Sequence, residues 1–139
     1  MNRVTVIAMF LVSGLLLSCS ADKEQLATTN SIEGKWKYNV EGMVVNNQVK
    51  LFDYQHAAGG SEDVLEIKAN GEINDIYYFN DNSSNVMRGV WFKEGNFITV
   101  SFDDQVQVAE IVELSATTLK LQYFIKESKY IKTFKRLVN

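Results

Sequence analysis

Apolar and polar side chains alternate in short runs along most of this chain, and turn-forming residues break the runs at even intervals. Leu119, Leu121, Tyr123 and Ile125 share one parity, while Lys120, Gln122 and Lys126 share the other with Phe124. Ile98, Val100 and Phe102 likewise oppose Thr99 and Ser101. A period of two belongs to a strand with one buried and one wetted face. From Gly34 onward this rhythm predicts nine strands, over residues 35–45, 48–55, 63–68, 72–80, 86–93, 97–102, 106–114, 119–125 and 130–137. Asn46-Asn47, Asn70-Gly71, Asp81 to Ser84, Glu94 to Asn96, Asp103-Asp104, Ser115 to Thr118 and Lys126 to Lys129 supply the turns. Asn70-Gly71 is the strongest hairpin signal, because both residues tolerate positive φ. Residues 56–63, rich in glycine and polar side chains, form the longest gap and read as an open loop.

Short connections between successive strands, with no helical period of convincing length, predict an all-β antiparallel up-and-down meander. So many antiparallel strands in about 105 residues must hide their edges. Closure into a small barrel of eight or nine strands does this most simply, with a two-sheet sandwich as the alternative.

The amino-terminal segment has a different pattern. Arg3 is followed by a largely apolar run from Val4 to Leu17, then Ser18 and Cys19, the only cysteine of the chain. This is signal-peptide anatomy, and it is too short to span a bilayer comfortably. Residues 20–31 are polar and read as a tether. The expected organisation is a leader over 1–18, a modified terminus and tether over 19–31, and one domain over 32–139. A mature chain of 121 residues suffices for one core and not for two.

Composition removes several classes of chemistry. A lone cysteine leaves no partner for a disulfide, so the domain must hold together by packing. His56 is the only histidine, which argues against most zinc sites, and its neighbours Ser61, Glu62 and Asp63 lie in a loop that would hold catalytic geometry poorly. Asn80, Asp81, Asn82 and Asn85 offer oxygens at a spacing that fits no EF-hand. No phosphate-binding glycine loop and no nucleic-acid signature appears. Neither catalytic residues, a metal site nor a cofactor is expected. Charge is unevenly spread: residues 120–136 carry +5 and residues 19–119 carry −9, against −3 for the whole chain. That asymmetry can draw an anionic membrane or ligand, or pair strand with neighbouring strand.

Two resemblances sharpen this reading. The Leu16-Leu17-Ser18-Cys19 ending resembles the lipobox of bacterial lipoproteins, which implies cleavage before Cys19 and acylation of its sulfur and new amino group. Two or more acyl chains anchor stably where one does not, so the resemblance implies a lipid-anchored protein of the bacterial envelope, at the outer membrane. Gly34-x-Trp36 at the start of the first strand, with Arg136 near the end of the last, resembles the lipocalin-like domains, above all the short lipoprotein forms of Bacteroidetes. The resemblance implies a tryptophan closing one barrel end, an arginine over its indole and a glycine admitting the chain. It also implies a cup for a small apolar or amphipathic ligand, with Tyr38, Tyr54, Tyr77, Trp91 and Tyr123 as candidate lining. The alternative is a filled barrel whose outer face, or loop 56–63, meets an envelope protein or glycan.

Overall fold

A computed structural model describes residues 30–138; Cys19, the leader and most of the tether lie outside the described residues. The strands are β1 (Gly34–Val45), β2 (Gln48–Asp53), β3 (Val64–Ile67), β4 (Glu72–Tyr78), β5 (Ser84–Glu94), β6 (Phe97–Phe102), β7 (Gln105–Leu114), β8 (Thr118–Ile125) and β9 (Ser128–Arg136). All pairings are antiparallel, and β1 with β3 to β9 closes an eight-stranded barrel through the β1–β9 seam. The ninth strand is β2, which pairs with β1 alone. Strand β1 is long enough to serve three partners: residues 34–37 pair with β3, residues 40–45 with β2, and its other edge takes β9.

Turn chemistry sets the register of each hairpin. Asn46 and Asn47 both take positive φ, 52° and 59°, as a two-residue primed turn between β1 and β2 requires. Asn70-Gly71 works differently from the two-residue expectation. Only Gly71 has positive φ, 85°, and its N–H donates to the Lys68 carbonyl at 3.1 Å. The hairpin therefore turns through four residues and ends on a left-handed glycine, with Asn70 Oδ1 accepting the Glu72 N–H at 3.1 Å.

Inward-facing residues of successive strands meet in the lower barrel. Trp36, Ile67, Ile73, Ile98, Leu119, Leu121 and Phe134 are each less than 2 % exposed, and burying a side chain of this kind is worth about 1.5–3 kcal/mol. Two bulges interrupt the ladders, between Tyr38 and Val40 on β1 and between Ile111 and Glu113 on β7. The first matters for the site. It inserts one residue, so Glu41 joins Tyr38 on the inner face and stands opposite Lys132 of β9.

Trp36 and Arg136 plug the closed end. The guanidinium lies 4.1 Å from the indole centroid. Its Nε donates to the Ala116 carbonyl at 2.9 Å and its Nη1 to the Glu33 carbonyl at 2.8 Å, while Nη2 donates to the Ser31 carbonyl. Trp36 Nε1 donates to the Ile32 carbonyl at 2.7 Å. Gly34, at φ 140°, passes so close that a Cβ there would sit 2.5 Å from Arg136 Nη1. One planar fork thus ties three chain segments together over an aromatic face. Arg136→Ala is expected to cost about 2–3 kcal/mol in urea unfolding, allowing for its partial exposure, and to shift tryptophan emission. Arg136→Lys should restore little, since an ammonium lacks the fork; a loss below about 0.5 kcal/mol for either variant would show that the plug holds without it.

Candidate functional site

Above the apolar floor the lumen turns polar. Asp75, on the inner face of β4, is 6 % exposed. Its Oδ1 accepts from the Tyr38 hydroxyl at 2.8 Å and its Oδ2 from the Tyr77 hydroxyl at 2.7 Å. Burial raises the Asp75 pKa above its ordinary value, partly offset by these phenols and by the charge of Lys132. Desolvation pushes the hydroxyls of Tyr38, Tyr54, Tyr77 and Tyr123 above the ordinary phenol range, and nearby carboxylates add to it. These phenols therefore stay neutral and serve as donors.

A second carboxylate fastens the loop between β2 and β3. Asp63 Oδ2 accepts from the Tyr54 hydroxyl at 2.7 Å, and Oδ1 accepts the Tyr78 N–H at 2.7 Å. His56 Nδ1 accepts the Asp63 N–H at 2.9 Å, and its Nε2 faces the Tyr38 carbonyl at 3.0 Å. A carbonyl only accepts, so Nε2 carries the hydrogen and the tautomer is fixed. The glycine-rich stretch that reads as an open loop is accordingly strapped to β1 and to the end of β4. His56 is committed to the backbone. Among the described residues no group of three metal-ligating side chains forms.

The rings of Tyr38, Tyr54, Tyr77 and Phe134 pack together, with centroids 4.7, 6.1 and 4.8 Å from that of Tyr38. Lys132 Nζ points into the same space, 5.3 Å from the Tyr38 ring and 5.8 Å from the Tyr123 ring. Tyr123 is also one wall of a cavity of about 640 Å³ between β7 and β8. That cavity exists because the β7–β8 ladder stops at Ala109 opposite Tyr123, although both strands continue. Residues 105–108 stay paired with β6 and residues 124–125 with β9, so the wall divides. Val106, Val108, Phe124 and Ile125 flank the opening, each half exposed or more. Gln105, Gln107, Glu110 and Lys126 supply polar groups around it. Such a volume falls within the range of small-molecule sites.

A family model for the lipocalin-like domain matches residues 32–121. The chain belongs to the lipocalin-like domain family. Among solved structures, the lipocalin-like chain resembles a Bacteroides eggerthii protein of uncharacterized function, with a TM-score of 0.56 and 11% identity over 77% of this chain and 100% of that one. It also resembles a lipocalin-like protein from Bacteroides uniformis, with a TM-score of 0.54 and 14% identity over 76% and 97% of the two chains. At such identities the likeness concerns the fold. No curated protein matches the sequence.

The lipocalin-like barrel brings Tyr38, Tyr54 and Tyr77 into one cluster and places Tyr123 across Lys132 from Tyr38. Trp91 does not join them. Its indole Nε1 donates to the Lys68 carbonyl at 2.8 Å, beside the β3–β4 turn. Sequence reasoning overlooked Asp75, Lys132, Glu41 and the cleft valines. The readable signal for Asp75 was its place between Ile73 and Tyr77, an acid on the apolar parity of a strand. Glu41 gave none, because the bulge that turns it inward is a property of the β1–β9 pairing.

Proposed function

We propose that this lipocalin-like protein binds, without catalysis, a small apolar or amphipathic molecule in the cleft between β7 and β8, and that acyl chains on Cys19 hold it at the bacterial envelope. The cleft carries the reading: its apolar surface meets, at Tyr123, a lumen lined by phenols, three carboxylates and one ammonium. An amphipathic molecule offers the matching halves. Tyr38, Tyr54 and Tyr77 are engaged with Asp75 and Asp63 in a binding frame, and the sole histidine holds the loop, an arrangement that supports binding over catalysis.

A neutral fluorescent probe, N-phenyl-1-naphthylamine, is expected to brighten on binding. Val108→Trp should fill the cleft and weaken that binding about tenfold or more while leaving stability unchanged, because Val108 is half exposed. Unaltered probe affinity in that variant would remove the cleft from consideration. Mass spectrometry of the mature amino terminus tests the anchor, and an unmodified Cys19 would refute it. A second reading, contact with an envelope protein, is supported by Val90 and Phe92 on the outer face of β5, 60% and 57% exposed. It predicts that charges placed at those positions abolish a partner's binding and spare the probe's.

A further inference from the structure

We infer that the molecule taken by the cleft carries an anionic head group, received by Lys132 and Tyr123 in the lumen; this rests on the cleft reading above. Lys132 faces inward, since it lies opposite the buried Leu121 on one side and opposite Glu41 on the other. Among the described residues its ammonium has no carboxylate within ion-pairing distance. It rests against two ring faces instead. An ammonium carries three donors, and ring faces satisfy its charge only in part.

The two aspartates of the lumen are spoken for. Asp75 holds two phenols and Asp63 holds a phenol and a backbone N–H. Tyr38, Tyr54 and Tyr77 each spend their hydroxyl on one of those carboxylates. Tyr123 is the exception: among the described residues its hydroxyl has no protein partner, and burial keeps it protonated. It therefore stands as a free donor on the wall shared by cleft and lumen, with the Lys132 ammonium beside its ring. A free phenol and an unpaired ammonium together suit a group that only accepts hydrogen bonds and bears negative charge. The tail would then leave past Val106, Val108 and Phe124.

The charge asymmetry of the sequence agrees. One side of the cleft is the β8–β9 hairpin that holds the +5 segment, with Lys126 at the rim and Lys129 over the Phe124 ring at 5.6 Å. Glu110, on the opposite rim, accepts from Gln122 at 3.3 Å. Glu41 is the lumen acid that would compete for Lys132.

The test titrates dodecanoate, dodecanol and dodecyltrimethylammonium, which share one tail, into the folded wild-type domain by calorimetry below their micellar concentrations. Dodecanoate should bind tightest, about tenfold over dodecanol, as an additional charge-assisted hydrogen bond provides. In Lys132→Met the ratio of acid to alcohol should fall to near one, and in Tyr123→Phe it should fall a few-fold. Equal binding of acid and alcohol by the wild type overturns the head-group assignment and leaves the cleft standing. Tightest binding of the ammonium overturns it in favour of Glu41 and the aspartates. No binding of any of the three overturns the cleft reading as well.

Discussion

Trp36→Ala is expected to lower stability by about 3–5 kcal/mol, the range for truncating a buried aromatic residue. Against a total of about 5–15 kcal/mol for a domain of this size, that loss removes between about a fifth and all of the stability. The cost has separable parts. Trp36 is fully buried and is the largest side chain of the floor, so truncation opens a cavity at the closed end. It also leaves the Ile32 carbonyl without its 2.7 Å donor and the Arg136 guanidinium without its ring. Trp36→Phe keeps much of the volume and an aromatic face but loses the N–H, and should cost about 1–2 kcal/mol. Urea titration followed by circular dichroism measures both. Equal losses for the two variants would show that the indole N–H, and not the volume, dominates.

Asp75→Ala should cost about 2–4 kcal/mol, because it strips the acceptor from two buried phenols at once. Asp75→Asn is the more telling variant, since it keeps the shape and removes the titration. The folded-state pKa of Asp75 is raised, with burial as the leading cause. The folded chain therefore holds this proton more tightly than the unfolded chain does. Stability from this group is greatest below the unfolded value near 3.8, and it declines as pH climbs through the raised folded value. Wild type should lose stability relative to Asp75→Asn across that window, so the wild-type urea midpoint minus that of the variant falls with rising pH. A difference that rises with pH would show that the two phenols outweigh burial and stabilise the carboxylate.

Both effects sit in parts of the molecule that differ in how legible they were. The plug was legible through the resemblance: Gly34 and Trp36 at the first strand's start and Arg136 at the last strand's end match the places lipocalin-like domains give them. The tyrosines of the lumen could be nominated by type alone, yet type did not distinguish Tyr77, which bonds Asp75, from Trp91, which turns to the Lys68 carbonyl. That choice depends on which strand end each residue occupies once the barrel is tilted and closed. Loop 56–63 looked open because its glycines and polar residues predict freedom. Its anchors, the Tyr38 carbonyl and N–H and the Tyr78 N–H, belong to strands distant in sequence.

The sequence alone determined what local chemistry controls: nine strands, their turn residues, the all-β class and the inward parity of most of them. Alternation of side chains is an interaction of each strand with the boundary between core and water, and it is written into the strand itself. Only the tertiary structure decided how edges meet. It assigned β2 to an outer position beside β1, let a bulge swing Glu41 inward, closed β1 on β9, and ended the β7–β8 ladder at Ala109 and Tyr123 so that the wall divides. Each depends on register and twist summed around the whole barrel, a quantity no single strand contains.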